Sequence, residues 1–188
     1  MGNFLSAKPN SPVDKTLFLQ LKRNQLKDIY ECMETIEDQY PHTSFLSYQD
    51  FDDIFGPLLP DTEPLFTKIS DYNKEKENVA DLYESLSIFA LFNSDEFEYK
   101  IGFLFKLFDF DRSNTIEPDE LVLTFQAVVR ALCKLAGLPL PTMAYLEGLA
   151  NALFAVVDTN KNKHIGKTIF DSFSALNLPT FSIISFRF

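Results

Sequence analysis

The sequence predicts an all-α protein of four helix–loop–helix units arranged in two lobes. Three observations predict it. Apolar residues recur at steps of three to five, as at Leu17, Leu21, Leu26, Ile29, Met33 and Ile36, which is the spacing of a helix face. Four polar stretches interrupt that periodicity, near residues 40–50, 71–82, 109–120 and 158–169. Glycine is scarce, at 6 of 188 residues, while phenylalanine supplies 20. Few glycines disfavour a sandwich of many tight turns, and many phenylalanines suit helices with aromatic faces.

The elements follow in order. Pro9, Ser11 and Pro12 make residues 1–16 a loose tail. The first lobe spans 17–93. A helical pattern from Leu17 to Ile36 is broken by Pro41, His42 and Thr43. A short helix covers Tyr48 to Phe55, before Gly56-Pro57, and two prolines make 58–64 a turn or linker. Helical character returns at Leu65 to Ile69, a charged loop covers 71–78, and a helix covers about 81–92. The second lobe spans 94–179. Ser94-Asp95-Glu96 reads as an N-cap with first-turn acids, opening a helix that runs to Phe108. The next helix runs from Pro118 to Ala136 and is stopped by Gly137 and Pro139. Thr142 caps a helix to Val157, and a last helix runs to about Asn177. Residues 180–188 form an apolar tail with no helical stripe. The tail is predicted to pack on the protein itself or on a partner.

The charge narrows the function classes. Formal net charge is −10 and the pI about 4.6. Such a chain is a poor general binder of nucleic-acid phosphates and suits cations or basic partners. Cys32 and Cys133 cannot build a disulfide framework or a zinc cluster. The chain has no apolar run near the roughly 18 residues of a membrane span, and no signal peptide is visible. The start, Met1-Gly2-Asn3-Phe4-Leu5-Ser6-Ala7-Lys8, fits myristoylation of Gly2. One acyl chain anchors only marginally. Lys8, Lys15, Lys22, Arg23 and Lys27 either add a second, electrostatic signal or are the solvated face of a helix.

The chemistry sits in Asp109-Phe110-Asp111-Arg112-Ser113-Asn114-Thr115-Ile116-Glu117-Pro118-Asp119-Glu120. Side-chain oxygens alternate at the first, third and fifth places, and a glutamate stands at the twelfth. Calcium takes six to eight oxygens. Asp109, Asp111 and Ser113 would offer side chains, and Thr115 its carbonyl. Glu117 would coordinate directly or through water, and Glu120 would offer both carboxylate oxygens. Ile116 suits a short strand between paired loops. Ile101, Leu104, Phe105 and Phe108 before the loop, and Leu121, Phe125 and Val128 after it, each lie on one helical face.

This segment resembles the EF-hand family. It departs from the family at the sixth place, where Asn114 replaces glycine. Asn is the best non-glycine residue for positive φ, so the expected loss of affinity is modest. The loop at 158–169 has suitable flanks and Ile165 at the pairing place, but Asp158 is its only carboxylate. Ile169 replaces the glutamate, Lys163 the glycine, and Lys161 and Lys167 repel a cation. It is expected to be structural, pairing Ile165 with Ile116, and His164 would contribute only its backbone. The first half resembles two further units that have lost their ligands. Leu46 to Phe51 looks like the end of one loop and its exit helix. Counting from Asn73 places Glu75, Glu77, Asp81 and Glu84 at ligand places but Ala80 at the pairing place. Counting one residue earlier restores Val79 there but puts Tyr83 at the twelfth.

The whole resembles the calcineurin B and neuronal calcium sensor group, which are calmodulin-like. The resemblance implies a non-catalytic regulatory protein with calcium as its ion. A Phe-rich groove would bind an amphipathic helix of a target. Phe105, Phe108, Phe125, Val128, Phe154, Phe170 and Phe173 would be exposed in part when the second lobe opens. The alternative is a constitutive structural subunit of a membrane complex or a ciliary axoneme. The expected location is the cytoplasm, with attachment to a membrane surface through Gly2, or else the cilium. No Cys/His pair, Gly-rich phosphate loop or Ser-His-Asp set points to catalysis.

Overall fold

The computed structural model describes residues 15–72 and 77–172, and these are mostly helical. The elements are α1 (Lys15–Leu21), α2 (Leu26–Gln39), β1 (Phe45–Leu46), α3 (Tyr48–Phe55), α4 (Glu63–Ile69), β2 (Asp71–Tyr72) and β3 (Asn78–Asp81). They continue with α5 (Leu82–Phe92), α6 (Phe97–Phe108), β4 (Thr115–Ile116), α7 (Pro118–Ala136), α8 (Met143–Val157), β5 (Ile165–Gly166) and α9 (Lys167–Ser172). Gly2, Glu75, Phe173 and the tail 180–188 lie outside the described residues.

Local chemistry explains most boundaries. Ser47 caps α3, its hydroxyl accepting from Asp50 N, as the N-terminal amides of a helix require. Pro118 opens α7, where a missing amide hydrogen costs nothing. Gly137 closes it in the left-handed region at φ 65°. Thr142 caps α8 by accepting from Tyr145 N.

Three boundaries differ from the expectations. The run from Leu17 to Ile36 is two helices, broken at residues 22–25. No glycine or proline marks that break. It is held from afar: the carbonyl of Asn24 accepts from both the backbone and the hydroxyl of Ser94. Ser94 and Asp95 therefore do not cap α6, whose N-cap is Glu96. Asp95 instead accepts from Leu26 N at the start of α2. Finally, α4 starts at Glu63, inside the expected linker, with Pro64 in its first turn.

The strands are short and antiparallel. β1, β3 and β2 form one sheet in that order, and β4 pairs with β5. Leu46 stands opposite Ala80, and Ile116 opposite Ile165. The charged loop after Ile69 is thus in part a hairpin, with Asp71 opposite Val79.

α5 is the central helix. It is apolar nearly all round, with Leu82, Leu86, Ile88, Phe89, Ala90 and Leu91 buried, as a helix enclosed by others must be. Phe89 stacks on Phe55 of α3, with centroids 4.7 Å apart. Buried residues from Leu17 to Phe170 form one contiguous core that includes both halves of the chain. α8 packs mainly on α7 and leaves Tyr145 and Val156 exposed. No described helix is long and apolar enough to cross a membrane.

Candidate metal centre

The loop between α6 and α7 brings three carboxylates together. Ligand oxygens of Asp109, Asp111 and Glu120 all lie within 4.8 Å of one another. The backbone winds around the first of them. Asp109 Oδ1 accepts from Ser113 N and Oδ2 from Asn114 N, both at 2.9 Å. Asp111 Oδ1 also accepts from Ser113 N, at 3.0 Å. Hydrogen bonding from Ser113 holds the Asp111 carboxyl below its usual range. Arg112 and Asn114 sit in the left-handed region, at φ 58° and 59°. An asparagine there meets the conformational demand that glycine usually meets.

Glu120 closes the loop from the first turn of α7. Its Oε1 accepts from Phe110 N and its Oε2 from Glu117 N, both at 2.9 Å. Glu120 is 9% exposed, so its charge has little solvent to rely on. Arg112, the base within the loop, reaches away to Glu37 on α2 at 3.5 Å. Three carboxylates this close repel one another unless a cation or a proton intervenes. All their donors are hard oxygens, which suits calcium, magnesium or manganese and not a thiolate-seeking metal.

The other expected ligands lie as follows. Ser113 Oγ is 3.1 Å from the Thr115 carbonyl and 3.4 Å from Asp109 Oδ1. Glu117 is turned toward the neighbouring loop, with Oε1 3.5 Å from His164 Nδ1. That same nitrogen is 3.3 Å from Thr115 Oγ1. The His164 imidazole is therefore a cross-loop contact, which its place in the sequence did not announce. Phe110 was also missed. Its ring meets Tyr83 edge-on at 5.4 Å and Phe108 at 6.1 Å, tying the loop to α5. The available signal was a large apolar residue at the second place of a polar loop.

The loop at 158–169 repeats the same winding without the charge. Asp158 accepts from Asn162 N and Lys163 N, and Asn160 from Asn162 N. Lys161 and Lys163 take the left-handed φ values of 57° and 64°. Neutral Asn160 and Asn162 keep the loop shape through short-range hydrogen bonds, and no acidic cluster forms there among the described residues.

In the first half, Leu46 pairs with Ala80, four residues before Glu84. Asp81 caps α5, accepting from Glu84 N at 2.9 Å. Burial raises the pKa of both Asp81 and Glu84. Among the described residues Glu84 joins no acidic cluster, and it faces two cations of α7. Lys134 Nζ lies 2.6 Å from its Oε2, and Arg130 Nε 2.9 Å from its Oε1.

The β4–β5 contact carries a prediction. Ile116 and Ile165 are both fully buried, and their strands hold the two loops together. Ile165→Gly removes that side chain and loosens the strand without touching an acidic residue. Divalent-ion affinity at the 109–120 loop is expected to fall about tenfold, from loss of the rigidity that sets affinity in such loops. Calorimetric titration checks it; unchanged affinity would mean that the loops act separately.

No protein-family model matches the chain, and no curated protein matches it. Among solved structures, the chain is similar to one from Chaetomium described as a "TREX2 CID domain complex". The identity is 16%, over 89% of this chain and 98% of that one, with a TM-score of 0.30. A likeness of that size supports no conclusion about fold or function.

Proposed function

We propose that the chain is a non-catalytic, calcium-binding regulatory protein of the EF-hand type. It binds an amphipathic helix of a target through a Phe-rich face of its second half. The observation that carries this reading is the cluster of Asp109, Asp111 and Glu120 at a helix–loop–helix junction. Two further features support it: the positive φ at Asn114, and the antiparallel pairing of Ile116 with Ile165. With Ser113, Thr115 and Glu117 the loop supplies the oxygen donors that calcium needs. The phenylalanines of the expected groove are buried here: Phe105, Phe108, Phe125, Phe154 and Phe170 are all under 9% exposed. In this reading calcium moves the helices and uncovers part of that set. Gly2 acylation would bring the protein to a membrane surface.

One observation favours the second reading, a permanent subunit of a membrane complex or an axoneme. The residues of α8 that face away from α7, such as Tyr145 and Val156, are exposed and apolar, as on a helix with a constant neighbour. Calorimetry of the full chain with calcium, then with a basic amphipathic helix peptide, separates the readings. The sensor binds one calcium ion with high affinity, and binds peptide only when the ion is present. The sensor reading falls if no calcium binds, or if peptide binding ignores the ion.

A further inference from the structure

Glu84 and Glu120 occupy equivalent places. Each lies four residues after the residue that makes the strand pairing, Ala80 or Ile116. Each stands in the first turn of the following helix and is nearly buried, at 3% and 9% exposed. Their surroundings are opposite in sign. Glu120 faces two other carboxylates. Glu84 faces an ammonium. Lys134 Nζ lies 2.6 Å from Glu84 Oε2, 2.6 Å from Asp71 Oδ2 and 2.7 Å from the Ile69 carbonyl. The ammonium has three donors, and these three oxygens satisfy them. Arg130, one turn earlier on α7, contacts the same two carboxylates at 2.9 and 3.2 Å. Two carboxylates thus meet two cations in a site where the Lys134 side chain is only 6% exposed.

We propose that Lys134 is the resident cation of the first-half loop pair. A positive charge built into α7 holds Glu84 at the start of α5 and Asp71 of β2, and so fixes the β2–β3 pairing and the start of α5 independently of calcium. This rests in part on the reading of the 109–120 loop as a calcium site, because it assigns the two glutamates one exchangeable cation and one permanent one. α7 carries both: Glu120 in its first turn and Lys134 in its last, about 21 Å apart along the axis. Lys134 and Arg130 thus tie α7 to Glu84 of α5 and to Asp71 of β2. Removing Lys134 leaves the nearly buried Glu84 short of a cation.

The test is amide hydrogen exchange of the full chain, with and without calcium, for the wild type, Lys134→Met and Glu84→Gln/Lys134→Met. In the wild type, calcium should slow exchange at residues 115–116 and 165–166 and leave residues 78–81 as they were. In Lys134→Met, residues 78–81 should exchange at least about tenfold faster, with or without calcium. The double variant should regain most of that protection, because no carboxylate is then left without its cation. Unaltered exchange at 78–81 in Lys134→Met would overturn the proposal. A double variant as unprotected as the single one would also overturn it, since the loss would then come from the aliphatic stem. That comparison holds even where the single variant unfolds. Calcium slowing 78–81 in the wild type as strongly as 115–116 would overturn it too. If calcium changes nothing at 115–116, the calcium reading fails, while the comparison of the variants still decides the role of Lys134.

Discussion

Glu120→Gln is expected to weaken calcium binding at the 109–120 loop about a hundredfold, equivalent to about 2.8 kcal/mol. The change is nearly isosteric, so the effect isolates charge and donor type. Both Glu120 oxygens are held by backbone amides, from Phe110 and Glu117. In the variant one oxygen becomes an NH2 group, which cannot accept from either amide and cannot coordinate a cation. The cluster also drops from three carboxylates to two. Two signs should separate in the experiment: calorimetry loses the binding isotherm, while the stability of the apo protein changes little, because relieved repulsion among the carboxylates offsets the lost amide hydrogen bond. Unchanged affinity would mean that the ion, if bound, sits elsewhere.

Phe89→Ala is expected to destabilise the fold by about 3–5 kcal/mol, read as a lower urea midpoint with a similar slope. Phe89 is fully buried in the central helix. Its ring lies nearly parallel to that of Phe55, at an interplanar angle of 21°. Removing it opens a cavity beside the Phe55 ring, which is held in turn by Phe51 and cannot easily collapse into it. By contrast, Tyr99→Ala on the exposed surface of α6 should change the midpoint little. A loss for Phe89→Ala below about 1 kcal/mol would show that the core is less tightly packed than its burial implies.

Legibility of the sequence followed the range of the interactions. α3, α7 and α8 were readable because their caps are local: Ser47 with Asp50, Pro118 with Gly137, Thr142 with Tyr145. The pairing of Ile116 with Ile165 was readable because a loop of that winding allows one aliphatic position to face its partner. The break at residues 22–25 was not readable. Its cause is Ser94, seventy residues away, and a single sequence carries no record of such a partner. The same holds for Glu84. Its place in the loop was visible, but its cations lie on α7, and the i, i+4 spacing of Arg130 and Lys134 looks like any solvated helix face. Asp109, Asp111 and Glu120 came together as their spacing implied. Glu117 lies outside that cluster, with its Oε1 3.5 Å from His164 Nδ1.

The two loops joined at Ile116 and Ile165 share a backbone shape but not a charge, and that inequality bears on how the protein would answer a signal. A pair of equal, coupled sites can respond more steeply than a simple hyperbola, since the Hill coefficient can rise toward the number of sites. With one acidic cluster among the described residues, the proposed calcium response at this loop pair would be hyperbolic. Passing from one-tenth to nine-tenths occupancy would then take about an eightyfold change in ion concentration. A sensor of that kind would grade its output over a wide range of signal, where a two-site partner would throw it like a trigger.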